Sequence, residues 1–203
     1  MRRVAILALL ALALPAVALA DTIDTVSNKF GSISISTSGI VSTRSEIKSL
    51  NGEHATSGHS LGSVWFTTGA FTADTSAGLF GDGTFAGGKG TSSFDVKGPG
   101  KSGMLFEGYF AGPIQWVATT LPGSHHLTFT LTGEIIGMLS DGHEATGTTT
   151  QYFTTTKFQL GKGTAHITGG TTTLASTPEP GTLGLLGTGL VGIAGIFRRR
   201  KSA

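Results

Sequence analysis

Across residues 21 to 175 no apolar helical period persists beyond two turns, whereas short runs alternate apolar and polar residues between glycine-containing breaks. A chain patterned in this way can bury one face of a strand but not one stripe of a helix, so the central segment is expected to be all-β. The clearest run is residues 126 to 132, where Leu127, Phe129 and Leu131 point one way and Thr128, Thr130 and Thr132 the other. Similar patterns predict strands over Phe30 to Ser36, Ser63 to Thr68, Leu79 to Ala86, Ser92 to Lys97, Met104 to Ala111, Ile114 to Thr120, Thr148 to Leu160 and Thr164 to Leu174. Turns are expected at Asn51-Gly52, Asp82-Gly83, Pro99-Gly100, Pro122-Gly123 and Asp141-Gly142, where Gly supplies positive φ and Asn or Asp tolerates it. Nine or ten strands spaced by roughly 8 to 15 residues predict a single antiparallel β-sandwich or open barrel.

The predicted core is aromatic: Trp65, Phe66, Phe71, Phe80, Phe85, Phe94, Phe106, Phe110, Trp116, Phe129, Phe153 and Phe158. Residues 21 to 28 and 175 to 180 read as flexible leaders, and residues 42 to 62 as a long loop. The 203-residue chain has 32 Gly and no Cys, which excludes disulfides, a thiol nucleophile, c-type haem attachment and cysteine-ligated metal centres.

Both ends depart from this composition. Residues 1 to 20 place Arg2 and Arg3 before an apolar run from Val4 to Leu14, then Pro15 and a small-residue site, Ala18-Leu19-Ala20, ahead of Asp21. That is the pattern of a secretory signal helix, with cleavage expected between Ala20 and Asp21. At the other end Thr177-Pro178-Glu179-Pro180 precedes a Gly- and Leu-rich stretch, Gly181 to Phe197, followed by Arg198, Arg199, Arg200 and Lys201. As a helix, 181 to 197 spans about 25 Å, slightly less than a hydrocarbon core of about 30 Å. The cations beyond it should remain cytoplasmic, which leaves residues 21 to 177 on the outer face.

Pro178-Glu179-Pro180, the glycine-rich apolar span and the terminal Arg cluster together resemble the PEP-CTERM sorting signal of Gram-negative bacteria, a tail also labelled the ice-binding protein C-terminal domain. The resemblance implies recognition by an exosortase, an integral-membrane processing enzyme, with removal of the helix and release or transfer to the envelope exterior. It implies nothing about residues 21 to 176. Physically, two prolines hold the segment extended and remove backbone donors, so an enzyme can grip it without melting a helix.

Charge patterning adds one exclusion. The pI near 9 comes from the tails, because residues 21 to 177 carry eight Lys and Arg against eleven Asp and Glu, a net −3. A nucleic-acid partner would need a basic face on the folded domain, so none is expected.

Four patterns in the middle invite chemical readings. Gly58-His59-Ser60-Leu61-Gly62 matches the G-x-S-x-G nucleophile elbow, but that motif needs a helix after it and a strand is predicted from Ser63. Gly83 to Lys89 has phosphate-loop spacing, yet Gly90 stands where Ser or Thr should bind magnesium. Asp141-Gly142-His143-Glu144 packs three ligand types into four residues without matching a zinc signature, and reads as a solvated turn. The threonine rows at 128, 130 and 132, 148 to 150, 154 to 156 and 171 to 173 suit the wet face of strands.

The sequence thus organises as signal peptide 1–20, a Gly/Thr/Ser-rich extracytoplasmic β-domain 21–176, and sorting tail 177–203 with a transmembrane helix at 181–197 and a basic cluster at 198–201. No catalytic residue, cofactor or metal ligand is assigned. The expected protein is exported, structural or adhesive and non-enzymatic: an inner-membrane-anchored precursor, then a cell-surface or extracellular product. Its expected partners are the secretion machinery, an exosortase-type enzyme, the inner membrane before processing, and envelope polysaccharide. The alternatives are a carbohydrate-binding module stacking sugars on Trp65, Trp116, Tyr109 or Tyr152, and a secreted hydrolase using Ser60.

Overall fold

The strands form where β-branched and aromatic residues alternate with Ser and Thr, side chains that suit a pleated surface wet on one side. A computed structural model describes residues 23–73, 82–99, 103–120, 127–155, 158–159 and 162–176, and every regular element among them is a strand. In chain order these are β1 (Ile23–Lys29), β2 (Ser32–Ser36), β3 (Gly39–Ser42), β4 (Ser45–Leu50), β5 (Glu53–His54), β6 (Ser63–Thr67), β7 (Phe71–Ala73) and β8 (Gly83–Phe85). They continue as β9 (Ser93–Lys97), β10 (Met104–Phe110), β11 (Ile114–Thr120), β12 (Leu127–Leu139), β13 (Glu144–Thr155), β14 (Phe158–Gln159) and β15 (Lys162–Ser176).

Pairing closes eight of them into a ring, β1-β4-β6-β9-β10-β12-β13-β15 and back to β1, with every contact antiparallel. The expected all-β class therefore holds, and the architecture is a closed barrel rather than a sandwich or an open one. Closure requires strands that the alternation pattern did not single out. β1 occupies the segment read as a leader, and β3, β4 and β5 fill or overlap the segment read as a loop. These stretches are rich in Ser, Lys and Glu because they face water outside, while Val26, Ile40 and Ile47 enter the core. β12 outruns β10 and β15 outruns β1. At their far halves β12 carries the branch β11-β8-β7, and β15 pairs β2, which leads through β3 back to β6.

The lumen is filled by aromatic rings: Phe66, Phe85, Phe94, Phe106, Phe110, Trp116, Phe129 and Phe153 are all buried. Trp116 stacks on Phe129 at 4.8 Å between centroids and meets Phe85 edge-on at 5.6 Å, while Phe94 and Phe110 cross at 81°. Phe71 is half-buried against Phe85. Trp65 departs from the expected core list, because Val64 and Phe66 on either side of it face inward and strand alternation turns the residue between them outward. The side chains of Phe80 and Phe158 lie outside those described. With rings inside and hydroxyls outside, the barrel reverses the arrangement by which barrels cross a bilayer. Among the described residues no helix is long and apolar enough to cross a membrane; the predicted signal helix and the transmembrane helix at 181–197 fall outside them.

One side of the lumen is polar. The Asn28 amide nitrogen donates to Ser45 Oγ and to Gln151 Oε1, both at 2.8 Å, and the Gln151 amide nitrogen donates to Asn28 Oδ1 at 3.2 Å and Thr149 Oγ1 at 3.0 Å. Thr149 and Thr172 hydroxyls then meet at 2.9 Å. All five residues are buried, and the network joins β1, β4, β13 and β15 across the closing seam. Gly170 is part of the fit, since a Cβ there would overlap the Gln151 amide.

Beside this network the inward face changes parity. Val26 and Asn28 point inward on β1, but Ile33 and Ile35 do so on β2, although both strands hold one continuous register against β15. The switch is made at Phe30 and Gly31, with φ of 67° and 93°. On β15 the same switch falls at a bulge, where Tyr152 pairs Gly169 and Phe153 pairs Ile167 so that Thr168 is the extra residue.

Three of the expected turns can be compared. Asn51 and Gly52 take φ of 50° and 83° between β4 and β5, and Gly142 takes 87° between β12 and β13. Asp82-Gly83 is not a turn: Gly83 opens β8, laddered on both sides to Ala73 and Trp116, and Asp82 Oδ1 accepts the Ala118 N–H at 2.8 Å.

Candidate binding face and sorting motif

On the outside of the barrel the strand registers assemble side chains that are distant in sequence. Trp65 on β6 lies opposite Asp95 on β9, Asp95 opposite Glu107 on β10, Glu107 opposite Met138 on β12, and Met138 opposite Glu144 on β13. Trp65 is 37% exposed; its Nε1–H donates to Ser63 Oγ at 3.0 Å and Lys97 Nζ stands 5.6 Å from its ring centroid. Partial burial raises the Asp95 carboxyl above its ordinary value, the facing Glu107 carboxylate adds to the rise, and Lys97 opposes it. Two like charges directly opposite on neighbouring strands are unfavourable on their own. An aromatic plate and three carboxylates in one row, with an ammonium group two residues along β9, offer hydrogen-bonding and stacking groups to a polyhydroxylated ligand.

Of the four rings considered as sugar platforms, Trp65 and Tyr152 are exposed and Tyr109 is half-buried. Trp116 is 2% exposed and belongs to the core. Tyr152 is not part of the Trp65 row. It sits opposite Thr130, beside an outward rung of hydroxyls and amides that runs Gln115, Thr132, Thr150, Thr171, Ser27, Ser49 across six strands. The next rung is Glu134, Thr148, Thr173, Thr25. Thr148 and Thr173 of this rung, with Thr146, line a shallow depression of about 450 Å³ beside Ala111, Ile136 and Ala175. Not every threonine in the rows faces water: Thr149 and Thr172 belong to the buried network.

The remaining sequence patterns resolve as backbone geometry. Gly58 and Gly62 have φ of 81° and 140°, Leu61 N–H bonds the Ile47 carbonyl, and the segment after Gly62 is β6, so Ser60 lies in a loop between two strands. Gly83 to Phe85 form β8 with no helix following, and Lys89 is exposed. Asp141 caps its own turn: its Oδ1 accepts the His143 N–H at 3.0 Å and its Oδ2 lies 3.1 Å from His143 Nδ1. The His143 backbone N–H above all holds the Asp141 carboxyl below its ordinary value. Among the described residues no group of three or more His, Cys, Asp or Glu is placed to hold a metal ion.

Sequence reasoning missed the facing pair Asp95 and Glu107, the exposed Phe30 and the Asn28–Gln151 pair. Trp65 stood among the expected core residues, and only the register between strands, which no local signal encodes, brings it into one row with Asp95 and Glu107.

Residues 176–201 match the family described as PEP-CTERM protein-sorting motif. No curated protein and no solved structure matches the chain. The chain therefore carries this sorting motif on a barrel without a recognised family. The motif implies an exported, membrane-anchored precursor processed by an exosortase-type system. It contains Pro178, Glu179 and Pro180 and the cluster Arg198, Arg199, Arg200 and Lys201; these residues, like Ala18, Ala20 and Asp21 at the expected signal cleavage site, lie outside the described ones.

Proposed function

We propose that this protein is a non-catalytic structural or adhesive component that an exosortase-type system delivers to the surface or surrounding matrix of a Gram-negative cell. The observation that carries the reading is the sorting motif at residues 176–201, joined to a barrel whose lumen is filled with its own side chains and whose outer face is rich in hydroxyls and charges. Such a barrel works by its outside. The test is the intact mass of the protein recovered from medium and envelope fractions of its host. A mass lacking residues 1 to 20 and ending between Pro178 and Gly181 is the expected result; a mature protein that retains Phe197 and the Arg cluster overturns the processing step.

A second reading, an envelope-polysaccharide-binding module, is favoured by one feature: Trp65 stands exposed beside Asp95. Titration of host envelope polysaccharide into the protein should quench tryptophan emission, and Trp65→Phe should abolish the change because Trp116 is sealed in the core. Unaltered emission, or quenching that survives Trp65→Phe, removes this reading.

A further inference from the structure

Phe30 is the one described residue that combines three disfavoured properties. It is bulky, it holds φ of 67°, and it is 52% exposed, so burial does not offset the strain. The parity switch at this point needs positive φ, which Gly or Asn would supply at lower cost. Lys29 Nζ and Lys48 Nζ lie 5.7 and 4.8 Å from the ring centroid. Lys48 also pairs with Glu46 at 2.8 Å, and Arg44 is close enough to act on the Glu46 carboxyl. Lys29, Arg44 and Lys48 are three of the eight cations in residues 21 to 177, concentrated on a segment whose net charge is −3.

The acidic row described above has the complementary layout. Met138, 49% exposed, stands between Glu107 and Glu144 just as Phe30 stands between two lysines. The two patches do not overlap on the ring: counted from β1, Glu107 on β10 is four strands away, Met138 on β12 three and Glu144 on β13 two. We propose that the Lys29–Phe30–Lys48 face of one molecule docks on the Glu107–Met138–Glu144 face of a second copy, so that molecules associate head to tail.

Phe30 then meets the Met138 thioether, a contact in which sulfur and ring attract. The incoming ammonium groups relieve the repulsion between Asp95 and Glu107, as electrostatic complementarity across an interface requires. Because the two faces are different and do not overlap, the contact is heterologous and each added copy offers a free face for the next. This rests on the structural reading above, but its readout is independent of processing: correct sorting with a monomeric protein would overturn this inference alone.

The chain has no Cys, so engineered pairs report without background. In the full chain purified in detergent, Phe30→Cys with Met138→Cys in the same molecule should give a ladder of covalent oligomers on mild oxidation, while either single variant stays monomeric. Lys29→Glu with Lys48→Glu, and separately Glu107→Lys with Glu144→Lys, should each abolish association while leaving the β-sheet circular dichroism unchanged. Mixing the two reversed proteins should restore association, and added salt should weaken it. The proposal is overturned by a double-Cys variant that stays monomeric, by single-Cys variants that form dimers through a symmetric face, or by association that persists through both charge reversals. It is also overturned if the protein stays monomeric and the Phe30 face instead retains the chain on an alginate column.

Discussion

At single residues the barrel shows which glycines are structural and which charges are costly. Gly62 lies where a Cβ would overlap the Lys97 carbonyl oxygen, at φ of 140°, whereas Gly58 at 81° has open space around it. Gly62→Ala should therefore cost at least about 2 kcal/mol, from overpacking added to backbone strain. Gly58→Ala should cost only about 1 kcal/mol for the left-handed backbone. Urea unfolding of the two variants checks this, and equal losses would refute the assignment of Gly62 to β6–β9 packing. Asp95 gives a pH signature. A carboxyl whose value is higher in the barrel than in the unfolded chain binds protons more tightly when folded. The native state thus gains stability as pH falls through the window just above 3.8 and loses it as pH rises. Asp95→Asn should melt higher than the parent at neutral pH, with the difference shrinking toward pH 4; a variant that melts lower at neutral pH would contradict it.

At the scale of elements, the seam between β1 and β15 is specified by polar groups rather than by packing alone. Gln151→Ala leaves Asn28 Oδ1 without its donor, reduces the Asn28 amide nitrogen to its bond with Ser45 and opens a cavity, and should cost about 3 kcal/mol, because an unpaired buried group bears its desolvation penalty. Asn28→Leu combined with Gln151→Met should cost less than the sum of the single changes, since no amide is left without its partner. Thermal melts of the four proteins form the cycle that checks it. Deleting residues 21 to 29 removes Val26 and Asn28 together with the link from β15 to β4, and should abolish the cooperative melt altogether. The same elements mark how far the sequence could be read. Strands with ring-bearing inward positions, such as β9 and β10, announced themselves by alternation. β1 and β4 did not, because their inward residues include Asn28 and Ser45, which only a distant glutamine makes acceptable inside a core. The sorting motif was legible residue by residue because an enzyme must read it as linear chain; the acidic row was not, because it exists only across four strands.

For the whole molecule, the pairing that closes the ring, β1 with β15, joins the two ends of the domain with Ile23 opposite Ala175, and the last strand is the hub: β15 pairs β1, β2, β13 and β14. A ring of this kind has high contact order and gains its stability late. Domains commonly fold N-terminal parts first as the chain emerges, but here β1 and β2 find their long neighbour only when residues 162–176 arrive. A chain ending before Lys162 should accordingly remain open to proteolysis under conditions in which the full chain resists it. The ladder that begins Ile23 opposite Ala175 also brings the first and last rungs of the barrel side by side. For a polypeptide threaded through a membrane N-terminus first, that arrangement works as a check valve. Such a chain would cross as a slack filament, snap shut only when its final rung had passed, and from then on be too wide to slip back the way it came.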